Sequence, residues 1–440
     1  THRVVLYGHH FAAIAGAGPL VGPVLAAQMG YLPGTLWIII GVLVAGAVQD
    51  MLVLFFSMRR GGRSLGQMAT DEIGRIGGIV ATIVVFVMLM IVLAVLAMVC
   101  VNALAASPWG VFSVGMTIPI AIGMGLWLRF VQPGKITQVS FVGFGLLIAV
   151  IIGGRWVAES PLGHYLHLSP KTLVWAMIIY GFLAAVLPVW VLLTPRDYLS
   201  TFMKVGTITI LALGIIIVRP LVEMAAVTEF AFNTDGPVFA GTLFPFLFIT
   251  IACGALSGMH AMVSSGTSPK MVEKETQVRM IGYGGMLMES FVAIMALAAA
   301  VSLSPGIYFS MNTSTATMNK LAGPETVAAA PCKTTDDPEH HCEKLAEVAV
   351  ANLGVTDAQG RKPTPEWDSW DDNGNPKTYT GAEALERLAS DVGEPNVVSR
   401  TGGAPTLSVG IAHILHQIGG GRAMMGFWYH FAIMFEALFI

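Results

Sequence analysis

The sequence predicts an all-α polytopic membrane protein of about ten transmembrane helices, a reading that three observations carry. Of 440 residues, 55% are hydrophobic and only 12% are charged, whereas a soluble domain carries roughly a quarter charged residues. The apolar residues fall in runs of about 20, the length that crosses a hydrocarbon core of about 30 Å. Short polar breaks separate the runs and alternate in charge. Helices are the expected form because they satisfy their own backbone groups in lipid. A net charge of −3 argues against a nucleic-acid partner.

The apolar runs are roughly 8–30, 33–58, 78–106, 110–129, 136–153, 171–193, 201–219, 240–263 and 281–304, with a tenth starting near 426. Breaks after alternate spans are basic: "RRGGRSLGQMATDEIGR", "RFVQPGK", "TPRDYLSTFMK" and "SPKMVEKETQVR". The intervening ones are not: "SPWG" is uncharged and "RPLVEMAAVTEFAFNTDGPVFAG" is net acidic. The positive-inside rule puts the basic set in the cytoplasm. The chain begins without Met and stops inside "FAIMFEALFI", which reads as a fragment of a longer protein, truncated at both ends.

The transmembrane core thus covers 1–303. Residues 304–403 are polar and acidic, with turn signals such as "DDNGNP". Parity places them outside, as a small extracytoplasmic insertion. Cys332 and Cys342 lie in "PCKTTDDPEHHCEK", and an oxidising compartment favours a disulfide between them. A metal site using Cys332, His340, His341 and Cys342 is the rival, weakened because adjacent histidines are awkward co-ligands. Cys100 and Cys253 fall within spans and read as ordinary buried thiols. Segment 404–421 is too short to span and reads as an amphipathic helix on the outer surface, with a re-entrant segment as the alternative. Residues 422–440 begin the last helix.

Span one starts inside and span six, five later, starts outside. This is the parity of a 5+5 inverted repeat, LeuT-like in class, with repeat one over about 8–153 and repeat two from about 171. The starts echo each other in "YGHHFAAIAGAGPLVGP" at Tyr7 and "YGFLAAVLPVWVLLTP" at Tyr180. Both carry residues that a regular helix avoids. Broken helices are tolerated at membrane depth where they line a polar cavity, and their free ends hold solutes and ions. Gly16, Gly18, Pro19 and Gly22 in the first break, and Pro188 in the second, are therefore candidate substrate-binding positions. The plain alternative is that Gly18-x-x-x-Gly22 is a small-residue packing face. The glycine spacing misses the dinucleotide fingerprint by one residue and no strand precedes it, which excludes a nucleotide site.

Several blocks resemble the carbon starvation protein A family: "GHHFAAIAGAGPLVGPVLAAQMGYLPGTLW", "AGAVQDMLVLF", "LPVWVLLTPRDYL", "FPFLFITIACGALSGMHAMVSSGT", "GYGGMLMESFVAIMAL" and "FWYHFAIMFEALFI". The resemblance covers nearly all the chain except roughly 310–400. It implies a bacterial inner-membrane transporter of peptides, or of pyruvate as in close relatives.

Ionisable groups inside a membrane are costly and usually functional. Asp50 lies nine residues before Arg59, about 13 Å from the cytoplasmic end at 1.5 Å per residue, and Glu289 sits at similar depth ten residues after Arg279. Each is a candidate proton carrier, or a structural hydrogen-bonding group. Glu436 is a weaker one. Ser257 and Thr250 share the spacing of one helix face with His260. Hydroxyls there would suit Na⁺, and the imidazole would suit H⁺; the titratable ring favours the proton. His9 and His10 are candidates for a cytoplasmic gate or an interfacial anchor. Arg196 and Asp197 in "TPRDYL" form an inner gate or a surface ion pair of little weight. Asn102 reads as an interhelical hydrogen-bonding residue.

The function expected is a secondary active transporter that imports small peptides by alternating access, proton-coupled, with no cofactor and no resident metal. A pyruvate/proton symporter and Na⁺ coupling of the same solutes are the alternatives, and a membrane sensor is the remote one. No ATP-binding motif appears, and an enzyme would need a metal cluster or nucleophile elbow that the sequence lacks.

Overall fold

The computed structural model describes residues 3–105, 107–131, 136–188, 193–329, 332, 341–371, 375–418, 421 and 424–439. Among them, five helices are long and apolar enough to cross a membrane, or six when a bent pair near the N-terminus counts as one span. The protein is a helical, multi-pass membrane protein.

That bent pair is α1 (Arg3–Ile14) and α2 (Gly18–Ala26), which meet at 46°. Its sequence explains the break. Pro19 sits in the first turn of α2, where its missing N–H would have no partner anyway. Pro23 lies inside α2 and denies the Pro19 carbonyl its helical donor. Gly30 then turns the chain with φ 94°, a left-handed conformation that favours glycine. A side chain there would also strike the Ala226 carbonyl. The opening N–H groups of α3 (Tyr31–Arg59) are satisfied by Ala225 and Ala226 carbonyls at 3.3 and 3.0 Å.

A short amphipathic helix, α4 (Leu65–Ile73), opens with a Ser64–Gln67 capping box. Next come α5 (Arg75–Leu104), α6 (Pro108–Val131), α7 (Ile136–Glu159) and α8 (Pro170–Val186). The stretch read as the basic loop "TPRDYLSTFMK" is corrected by the structure. It lies wholly inside α9 (Leu193–Val218), so Arg196 and Lys204 are helical residues.

The eighth apolar run is not one helix either. Short helical turns at Phe248–Thr250 and Ala252–Ala255 end at Leu256 and Ser257, both extended, before α10 (Gly258–Gly266). The face that was to unite Thr250 with Ser257 and His260 is therefore interrupted. The Thr250 hydroxyl instead donates to the Phe246 carbonyl at 2.8 Å. After it comes α11 (Glu275–Val301), most of whose C-terminal 18 residues are buried.

The polar segment after α11 is built from α12 (Pro305–Asn312), α13 (Thr315–Ala322), α14 (His341–Ala351), an antiparallel hairpin of β1 (Glu366–Trp370) and β2 (Pro376–Thr380) pairing Trp367 with Tyr379, and α15 (Ala382–Val392). A disulfide joins Cys332 to Cys342. The segment does not stand apart. Leu385 and Val392 share one core with Val21, Val101 and Leu303 of the helical body. The Tyr308 hydroxyl reaches the end of α2, facing the Val24 and Leu25 carbonyls at 2.8 and 2.9 Å.

The surface helix expected over 404–421 is also corrected. α16 (Ala404–Leu415) is buried along nearly its whole length and packs on α2, α9, α11 and α17 (Met425–Phe439). Its polar residues find partners inside the protein. Thr406 accepts from Asn312 Nδ2 at 2.8 Å, and Ser408 donates to Glu436 at 3.0 Å.

Candidate functional site

The site forms where three backbone irregularities meet. α3 changes to wider π-type turns over Val42–Gly46 just before Gln49 and Asp50. The extended Leu256–Ser257 link opens the eighth run. α11 supplies Glu289 opposite. The break between Ala255 and Gly258 leaves the last carbonyls of the preceding turn without helical donors, and Gln49 Nε2 donates to Ser257 O, the carbonyl that opens α10, at 2.7 Å.

His260, in the first turn of α10, lies between two carboxylates. Its Nδ1 is 3.0 Å from Asp50 Oδ2 and its Nε2 is 3.0 Å from Glu289 Oε2. All three residues have no solvent exposure. Cys253 joins the set, its Sγ lying 3.5 Å from Glu289 Oε1, 3.8 Å from Ser257 Oγ and 3.9 Å from His260 Nε2. Thiol, imidazole and Glu289 oxygen lie within 4.8 Å of one another, a spacing that a metal ion could bridge. Yet both ring nitrogens already face carboxylate oxygens, an arrangement suited to holding and passing protons.

Charge counting shows what the set can do. With imidazolium and both carboxylates ionised it carries one net negative charge, which a dry interior penalises. One further proton neutralises it. Groups this close influence one another's protonation, and among the described residues Asp50 Oδ1 is a buried acceptor without a hydrogen-bond partner.

The structure thus brings together Asp50, Glu289, His260 and Ser257, and leaves Thr250 on the far side of a helix break. The first-break residues divide. A side chain on Gly16 would meet nothing within 4 Å, so this position borders open space. Gly18 and Gly22 do not. A Cβ on Gly18 would collide with the Cys253 side chain, and one on Gly22 with the Thr250 carbonyl. The small-residue packing reading accounts for the absence of a side chain at these two positions. Pro19 is buried in α2. Pro188 is exposed just past the end of α8, and the residues that follow it lie outside the described ones.

His9 is exposed and His10 buried, so the pair does not act as one. His10 Nδ1 is 2.7 Å from the Ser268 hydroxyl. Arg196 reaches back to α8, over the Tyr180 ring and donating to its hydroxyl; the Asp197 side chain lies outside the described residues. Asn102 borders a cavity of about 520 Å³, together with His167, Asn396 and Arg400. There Arg400 pairs with Glu394 at 2.8 Å and donates to Ala103 and Ala105 carbonyls at 3.1 and 3.2 Å, while Ser107 donates to Glu394 at 2.7 Å. Burial pushes the Glu394 carboxyl up from its ordinary value, against the pull of Arg400 and Ser107.

Two residues of this region escaped the sequence reading. Cys253 was taken as an ordinary thiol, although it precedes His260 by seven residues in a run with two glycines. Lys204 was taken as the end of a basic loop, although an apolar helix face flanks it. It is buried, and its ammonium donates to Ala12 O at 3.0 Å and Ala15 O at 3.2 Å.

The class is a multi-pass helical membrane protein with a dry imidazole–dicarboxylate set beside broken helices. The chain belongs to the carbon starvation protein CstA family, which matches residues 1–366 and 368–440. It is 54% identical to the peptide transporter CstA of Mycobacterium tuberculosis (strain H37Rv), covering all of this chain and 53% of that protein. Identity is 53% to the peptide transporter CstA of Escherichia coli K12, over all of this chain and 57% of the relative. It is 51% to the pyruvate/proton symporter BtsT of the same organism, over all of this chain and 58% of the relative. The chain therefore spans a little over half the length of these curated relatives. No solved structure matches it.

Proposed function

We propose that this chain forms the core of a secondary active transporter, not an enzyme, that imports small peptides across a bacterial inner membrane by proton-coupled alternating access. The observation that carries this reading is His260 held between Asp50 and Glu289 where the backbones of two spans are irregular. A single buried unit that gains one net charge per proton is what a proton-driven cycle needs. Names of relatives support peptide as solute, and the BtsT relative favours pyruvate as the second reading. A ten-span, LeuT-like 5+5 arrangement with 304–403 outside fits the charges of the other three basic breaks and the bend at the first helix.

In the proposed cycle a proton enters the Asp50–His260–Glu289 unit in the outward-facing state. Solute then docks at the open side of the first break, near Gly16, with its carboxylate toward free N–H groups. Loss of net charge lets Ser257, Cys253 and Glu289 close around it. Parting of His10 from Ser268 opens the inner side.

The test is solute-driven current in proteoliposomes, comparing dialanine with pyruvate at fixed pH, with and without Na⁺. Dialanine current enhanced by external acid supports the reading, and pyruvate current alone moves the chain to the second. Asp50→Asn should abolish pH-driven uptake while leaving the folded protein intact by thermal melt. Unchanged pH-driven uptake in that variant would remove Asp50 from proton coupling.

A further inference from the structure

The end of α1 poses an accounting question. A helix leaves its last carbonyls without intrahelical donors, and in a membrane each must be met. The Phe11 carbonyl takes the Ala15 N–H at 2.9 Å, and the Ile14 carbonyl takes the Gly16 N–H at 2.9 Å. Among the described residues no backbone donor reaches Ala12 O in the last turn or Ala15 O just past it, and both accept from the ammonium of Lys204.

Free carbonyls at the C-terminal end of a half-helix are the negative pole of its dipole and the usual seat of a coupling cation in a broken-helix transporter. Here that seat holds a side chain. Lys204 comes from α9, on the face made by Met203, Thr207, Ile208 and Leu211, all buried. The side chain thus arrives from a separate span and reaches the break without solvent.

We propose that Lys204 is a built-in cation that fills the monovalent-cation seat at the end of α1, making the carrier independent of Na⁺ and fixing the angle between α1 and α2. The inference rests on the transporter reading for its consequence, but not for its occupancy. The ammonium neutralises the α1 pole permanently, so the proton on the Asp50–His260–Glu289 unit is left as the ion that comes and goes. Lys204 is a positioning residue: it acts on the solute through the break, not by contact.

The experiment is a thermal melt of the purified protein in lipid nanodiscs, without solute, as choline is replaced by Na⁺. The wild-type midpoint should not move. Lys204→Ala exposes the two carbonyls and should melt lower in choline, then rise as Na⁺ is added. Lys204→Met fills the same space with an apolar chain and should melt lower without responding to Na⁺. In proteoliposomes both variants should lose uptake by about tenfold or more in choline, the loss of at least one charge-assisted hydrogen bond. Na⁺ should restore part of it to Lys204→Ala alone.

A Na⁺-dependent rise of the wild-type midpoint would overturn the inference, as would a Lys204→Ala midpoint indifferent to Na⁺. Should Lys204→Ala prove too unstable to purify, the wild type decides: Na⁺-independent melting and uptake support the inference, and dependence in either overturns it. The melt needs no solute, so a wrong solute assignment would silence the uptake arm and leave the melt intact.

Discussion

α5 and α11 are nearly equal in length, at 30 and 27 residues, and both are apolar enough to cross a membrane. They occupy opposite environments. α5 buries little besides Gly78 and its last turn from Cys100 to Leu104; the rest faces outward with exposed Ile, Val, Leu and Met. α11 buries Gly285, Ala293, Ala296, Ala299 and Ala300 among its neighbours, with Glu289 in their midst. The more hydrophobic helix is the peripheral one, because lipid is as good a solvent for leucine as a protein core is. What buys a helix a central place is small residues that let other backbones approach, and a polar group that needs partners.

Three substitutions sharpen or break this comparison. The largest effect is expected from Arg400→Met, which strikes the one end of α5 that behaves like α11. It strands the buried Glu394 carboxylate and frees the Ala103 and Ala105 carbonyls. A cost of about 3–5 kcal/mol is expected for losing one partner of a buried pair, read as a large fall in melting temperature. A melt like that of wild type would mean that this junction is not what anchors α5. Next is Ala293→Leu in α11. Ala293 is fully buried, beside Gly254, and overpacking should cost about 1–3 kcal/mol, visible as a lower melting point. The smallest is the matched change Ala94→Leu in α5, where the side chain is exposed and the effect should stay within about 0.5 kcal/mol. Equal shifts for the two leucines would show that burial does not distinguish these helices.

The same contrast explains what could be read from the amino-acid order. Asp50, Glu289 and His260 stand out because ionisable groups are rare in apolar runs. That one ring joins the two carboxylates needed three dimensions, since the helices that carry them are 210 and 29 residues distant along the chain from His260. Helical periodicity misled at Thr250 because Leu256 and Ser257 are extended, and nothing in "GALSG" except its small residues signals that. Lys204 was assigned to a loop because charge near a span end normally marks the membrane surface. The rule fails when a lysine is needed to satisfy another helix's carbonyls. The α16 segment was placed on the surface because its apolar core is too short to span; what buries it are partners from distant elements, Asn312 for Thr406 and Glu436 for Ser408. The glycines at the first break were legible as special, but spacing alone did not separate those that pack, Gly18 and Gly22, from the one that borders space, Gly16.

The hydroxyl of Tyr308 faces the last carbonyls of α2 while Lys204 grips those of α1. The broken helix is therefore held like a lever with a pin near its fulcrum and a tether at its tip. The tether belongs to the polar segment, so any swing of α2 must carry α12 with it and, through α12, the hairpin that Ser304 hydrogen-bonds at Glu366. Mechanically, the segment following α11 is geared to the helix break, and a load placed on its hairpin would be felt at the middle of the membrane.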